Sequence, residues 1–204
     1  MSAAHSDTAS READDRLLLA SAAGDLEAVR EAISAGAALE AQDARGRSPL
    51  LLAAAADHVD VAEELVRRGA DPDAVDDQSD TPWLVTGVTG SVAMLEVLLP
   101  AGPDLAKRNR YGGVSVIPAS ERGHVDYVRR VVQTDIDVNH VNDLGWTALL
   151  EAVILGDGSR PYQEIVAILL AAGADKNFPD KDGVTALSHA QLKGFDQLAA
   201  ILRP

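Results

Sequence analysis

Apolar residues along this chain come in short bursts at helical spacing, separated by polar, glycine-bearing turns. The runs VDVAEELVRRGAD (59–71), VAMLEVLLPAGPD (92–104), VDYVRRVVQTDID (125–137), EIVAILLAAGAD (164–175) and FDQLAAIL (195–202) each place their apolar side chains three and four residues apart. That spacing predicts an amphipathic helix. Each run follows a block with a polar start and an apolar end: DARGRSPLLLAAA (43–55), DDQSDTPWLVTGV (76–88), NRYGGVSVIPASE (109–121), NDLGWTALLEAVI (142–154) and DKDGVTALSHAQL (180–192). The first four blocks start 33 residues apart and the fifth starts 38 later. A sixth copy, RLLLASAAGDLEAVREAISAGA (16–37), precedes them. A fixed period of this length is the signature of a repeat array, in which no copy buries its apolar face alone.

Start and stop signals sit in phase with the period. Ser48-Pro49 and Thr81-Pro82 read as N-cap followed by first helical residue. Asp43, Asp76 and Asp180 open the blocks and suit tight turns in which a side-chain oxygen accepts backbone amides. Glycines mark the turn (Gly46, Gly112, Gly145, Gly183), the break between helices (Gly24, Gly90, Gly123, Gly194) and the end of the second helix (Gly36, Gly69, Gly102, Gly173), accounting for 12 of the 16. The TPL-type openings, central glycine and closing GAD resemble the ankyrin repeat over residues 14–203. The resemblance implies an all-α solenoid of stacked helix–turn–helix units with short projecting β-hairpins. Its divisions are a disordered tail over 1–13 and an ankyrin repeat domain over 14–204. Within that domain an N-terminal cap unit covers 14–42, units start at 43, 76, 109 and 142, and a C-terminal cap unit covers 180–204.

Three departures stand out. Val114-Ser115 replaces the Thr-Pro pair in the copy starting at 109, and Pro118 falls inside its expected first helix, where it would kink or delay it. That copy also ends in QTDID, without the usual glycine stop. The copy starting at 142 carries five extra residues around GDGSRPYQ (156–163), expected as a surface loop, with Arg160 and Tyr162 as its candidate contacts.

Composition sharpens the picture. Alanine is abundant and aromatics amount to seven residues, which suits closely approaching helices. With no cysteine, disulfides and thiolate chemistry are excluded. A net charge of −14 argues against nucleic acid or anionic membranes as general partners. The amino-terminal stretch has no apolar signal region, so a cytoplasmic protein is expected. Arginine outnumbers lysine 14 to 4, which with the alanine content points to a bacterial, GC-rich genome.

Catalytic constellations do not emerge. His58 and His124 follow the central glycine slot, a structural position. His140 near a tip is expected to be solvated, and His189 to be a partly exposed helix residue. DKDG (180–183) lacks the spacing and the final glutamate of a calcium loop, and no phosphate cradle or nucleophile elbow occurs. Neither enzyme activity nor a cofactor or metal is expected.

The resemblance implies instead a concave groove built from the tips and first helices, holding a protein partner. On its groove positions fall Tyr111, Trp146, Leu144, Arg110, Arg108, Arg122, Ile154 and Leu155. Aromatic residues beside arginine have the composition of an interface hot spot. The expected function is a non-catalytic binding scaffold, with an inhibitory or accessory subunit of an enzyme, or a small-molecule binder near Arg160, as alternatives. A monomer is expected, with self-association through the apolar patch as the other possibility.

Overall fold

The computed structural model describes residues 2–203. The chain divides into two compact units, residues 1–104 and 105–204. The first contains α1 (Ser2–Ala23), α2 (Leu26–Ser34), α3 (Pro49–Ala55), α4 (Val59–Arg67), α5 (Pro82–Thr89) and α6 (Val92–Leu98), with a single 3-10 turn at Leu99–Ala101. The second contains α7 (Val116–Glu121), α8 (Val125–Val131), α9 (Ala148–Ile154), α10 (Arg160–Ala171), α11 (Ala186–Leu192) and α12 (Asp196–Leu202). Within each unit like packs on like: α1 on α3 and α3 on α5, then α7 on α9 and α9 on α11. The second helices do the same, α2 on α4 on α6 and α8 on α10 on α12. The all-α stack of helix pairs is the expected fold class.

The helices begin where the sequence says they should. Ser48 Oγ accepts the Leu51 amide, and the Thr81, Thr147 and Thr185 hydroxyls do the same for Leu84, Leu150 and Ser188. Such caps satisfy amides that a helix start leaves unpaired, at about 1 kcal/mol each. At Gly69, φ of 95° turns the chain so that the Ala70 amide reaches back to the Leu65 carbonyl at 3.0 Å. The alternate apolar faces meet in the interior, where Leu50, Leu65, Trp83, Met94 and Leu95 are fully buried in the first unit. Tyr127, Leu149, Leu150, Ile165 and Leu169 fill the second. Each such side chain contributes about 1.5–3 kcal/mol through burial.

The projecting tips are turns, not the expected β-hairpins. Among the described residues the pairing in strand fashion is one isolated antiparallel bridge, Pro179 with Thr185. The reason is local: the first residue of each block folds the tip with its own side chain. Asp43 Oδ1 accepts the amides of Arg45 and Arg47, and Asn142 Oδ1 accepts those of Leu144 and Trp146. Tips are then tied to their neighbours by single bonds, Asp77 N–H to Arg45 O and Asp143 N–H to Tyr111 O, both 3.0 Å. A second tie repeats behind them. Glu40, Asp73 and Asn139 each accept the amide of the aspartate that closes the next copy: Asp71, Asp104 and Asp175.

Where the sequence departs from the period, the structure departs too. The helix α7 starts one residue later in its copy than its counterparts. Pro118 is then its third residue, where a missing amide costs no helical bond. Ser115 holds the capping slot, but its buried hydroxyl caps nothing. In place of the glycine stop after α8, the Thr134 hydroxyl donates to Val131 O at 2.6 Å and accepts the Ile136 amide. At the amino end, α1 begins at Ser2, inside the stretch expected to be a disordered tail. That stretch contains no glycine or proline, so nothing local stops a helix anchored by the buried Ala13 and Leu17 from extending backward. Met1, the first residue of that tail, lies outside the described residues.

Candidate functional site

Within the second unit, a cavity of about 350 Å³ opens between the copies starting at 109 and 142. Its walls come from three sources. The tip at 109–113 supplies Asn109, Arg110 and Tyr111, and α7 with its end supplies Ile117, Pro118, Glu121 and Arg122. The facing copy supplies Asn142, Leu144, Glu151 and Leu155.

Five of the residues singled out in the sequence meet here. Tyr111, Leu144 and Leu155 are half exposed, at 56%, 51% and 49%, although all three are large and apolar. Tyr111 and Leu144 are held open to solvent by turn geometry: the Asn109 side chain accepts the Tyr111 amide and that of Asn142 accepts the Leu144 amide, while Leu155 stands at the end of α9. The Arg110 guanidinium lies over the Tyr111 ring, 4.8 Å from its centre. A cation on an aromatic face at this distance contributes about 0.5–1 kcal/mol when exposed, and orders both side chains. Arg122 completes the group at the end of α7.

The other expected contacts lie elsewhere. Trp146 and Ile154 are half buried and do not line the cavity, and neither does the exposed Arg108. The insertion is only half a loop. Residues from Arg160 onward form the first turn of α10, where Arg160 pairs with Glu164 at 2.9 Å. Tyr162, expected as a loop contact, donates its hydroxyl to Glu121 O at 2.9 Å and so fastens α10 to the end of α7. His140 is half buried rather than solvated, its Nε2 2.7 Å from Gly112 O. His189 lies 2.7 Å from Asp180 Oδ2, and His58 reaches Ala22 O at 3.2 Å.

The most unusual member of the site was not among the expected ones. Glu151 occupies the slot that holds Leu52 and Val85 in the first two full copies, and it is only 5% exposed. Asn142 Nδ2 donates to its Oε1 at 2.7 Å. Burial pushes the Glu151 carboxyl up to about 7, the charge of Glu121 adds to the rise, and the Asn142 bond draws it partly back. The sequence did contain the signal: an acid in the slot that Leu52, Val85 and Pro118 fill in the three preceding copies.

Repeated helix pairs, side-chain-folded tips and a left-handed glycine closing the second helices define an ankyrin-type array. The family pattern described as ankyrin repeats (3 copies) matches residues 17–109 and again 89–180, and the chain belongs to the ankyrin repeat family. It is 45% identical over 104 residues to YahD of Escherichia coli (strain K12), itself described as an ankyrin repeat protein. That match covers 50% of this chain and 52% of YahD, so the chain spans about half the length of that relative. An ankyrin repeat domain from Acinetobacter baumannii AYE superposes with a TM-score of 0.87 at 44% identity, covering 91% of this chain and 95% of that one. The ankyrin repeat protein EF0377 gives 0.89 at 37% identity, covering 93% and 96%. Ankyrin repeats generally mediate protein–protein interaction, and members of the family are generally non-catalytic. Among the described residues, no helix is long and apolar enough to cross a membrane.

Proposed function

We propose that this protein is a cytoplasmic, non-catalytic scaffold that holds a protein partner against the groove face of the copies starting at 109 and 142. The carrying observation is the group Tyr111, Leu144 and Leu155, three large apolar side chains about half exposed around one cavity and flanked by Arg110 and Arg122. Apolar surface of this kind costs solubility and is kept where a partner covers it. The tips that present these residues are folded by their own side chains before any partner arrives. Binding therefore loses little conformational entropy. Trp146, Ile154 and Arg108 stand outside the cavity and serve as the rim of the same face.

The test is the double variant Tyr111→Ala/Leu144→Ala, with its thermal midpoint checked against wild type. A partner captured from the native host is purified, and its affinity measured for both proteins. Loss of each anchor is expected to weaken binding by about 1–2 kcal/mol or more, as hot-spot truncations do. Unchanged affinity in a normally folded double variant would overturn the reading.

A further inference from the structure

We infer that the cavity beside Glu151 is a socket for a lysine side chain presented by the protein partner. The inference rests on the scaffold reading above and names the chemistry of what enters the site.

Four observations converge on it. The first is the state of Glu151. Its Oε1 is engaged by Asn142, and no hydrogen bond to its Oε2 occurs among the described residues. The second oxygen keeps its acceptor capacity on the cavity side, where water or an incoming donor reaches it. The second is the company it keeps. The other acid lining the cavity is Glu121, so two carboxyls share one space, and among the described residues no ion pair reaches either. Arg110 and Arg122 also line the cavity, Arg110 with its guanidinium over the Tyr111 ring; the groups that shift the Glu151 carboxyl besides burial are Glu121 and Asn142. From the elements packed on α9, Tyr162 is spent on Glu121 O, His189 on Asp180, and Lys193 on the carbonyls of Ile154 and Gly156.

The third is shape. At about 350 Å³ the cavity is near the lower end of the roughly 300–1,000 Å³ typical of small-ligand sites, which suits one long side chain. Ile117, Pro118, Leu144 and Leu155 offer apolar walls to an aliphatic stem, leaving the charge at its tip for the acids. The fourth is charge. The net charge of −14 draws basic partners from a distance and repels acidic ones. Lysine fits better than arginine for a geometric reason. A guanidinium seeks two parallel oxygens of one carboxylate, and Asn142 already holds one of the pair at Glu151. An ammonium needs only single oxygens and can take one from each acid.

The experiment titrates three capped amino acids into the full-length, nitrogen-15-labelled chain, followed by NMR at pH 8. They are the Nα-acetyl N-methylamides of lysine, arginine and norleucine. The lysine probe should give saturable shifts confined to residues 109–122 and 142–155. The norleucine probe, equal in stem but uncharged, should bind at least about ten-fold more weakly, and so should lysine to Glu151→Gln. Lowering the pH to 5.5 should weaken the lysine probe by a similar factor, because protons compete for the same carboxyl. Equal binding of norleucine, tighter binding of arginine, or the absence of saturable shifts would each overturn the inference. Failure here is separable from failure of the scaffold reading. If the lysine probe fails while Tyr111→Ala/Leu144→Ala still loses the partner, the groove stands and the socket falls. If the probe binds but the double variant keeps its partner, the groove reading falls.

Discussion

Glu64 in the first unit and Glu151 in the second are buried to the same degree, each 5% exposed, yet they behave as opposites. Glu64 sits on α4 among guanidiniums: Arg67 at 2.6 Å, Arg68 at 2.9 Å, and Arg30 from α2 at 3.7 Å. The hydrogen bonds from Arg67, aided by those from Arg68, hold its carboxyl down at about 2 against the opposing effect of burial. Glu151 sits on α9 with an amide on one oxygen and a second acid nearby, and burial pushes it up to about 7. Burial raises both carboxyls; the arginines reverse it at Glu64, and nothing does at Glu151. Glu64 has spent its bonding capacity inside the fold, so it is structural. Glu151 has not, and a cavity opens beside it.

The largest expected effect comes from stripping Glu64 of its partners. Arg67→Ala/Arg68→Ala leaves a buried carboxylate facing only the more distant Arg30, the situation in which broken buried pairs cost most. Its denaturant midpoint near pH 7 should fall further than that of any variant at Glu151, Tyr162 or Arg160. The sign with pH follows from the lowered value. The wild-type contribution of Glu64 is present above its ordinary 4.5 and is lost as pH falls through about 2. The double variant should therefore lose less stability than wild type on acidification across that window.

Glu151 should show the reverse. Its folded value near 7 lies above the ordinary 4.5, so the fold favours the neutral form and wild type loses stability as pH rises through 7. Glu151→Gln keeps the Asn142 bond and removes the ionisation. It should stabilise by about 1–3 kcal/mol at pH 8 and by roughly a quarter of that at pH 5, where the unfolded carboxyl is already partly ionised, measured by urea unfolding. A midpoint equally unchanged at both values would mean that Glu151 titrates as an ordinary surface acid.

Smaller effects probe how the acids are placed. Tyr162→Phe removes the bond that fastens the end of α7, at a cost of about 1 kcal/mol. It should also lower the titration midpoint of Glu151, read by carbon-13 NMR, as Glu121 drifts away. The smallest effect belongs to Arg160→Ala. That side chain is 87% exposed beside Glu164, and exposed pairs contribute about 0–1 kcal/mol. A loss approaching that of the Glu64 partners would show that exposure does not separate the two kinds of ion pair.

Much of this was legible in advance at particular residues. Ser48-Pro49 and Thr81-Pro82 start helices, and Gly69 ends one, because caps and left-handed turns depend on a few adjacent atoms. Pro118 marked the shortened α7 for the same reason. Tyr111, Leu144 and Leu155 fell on the exposed face by their phase in the period. Tyr162 did not behave as expected. Its hydroxyl partner is 41 residues away in sequence, at Glu121, and no local rule reaches that far. The β-hairpin expectation failed at the tips because a single side chain, Asp or Asn, satisfies the amides that a strand pair would have used.

The sequence by itself determined the period, the helices, their caps and the exposure of Tyr111, Leu144 and Leu155, since each depends on contacts within one repeat. Tertiary structure alone decided which acids became silent and which remained available. Whether a buried carboxyl meets arginines or another carboxyl depends on side chains brought together from different helices, and Coulomb interactions act through that space rather than along the chain.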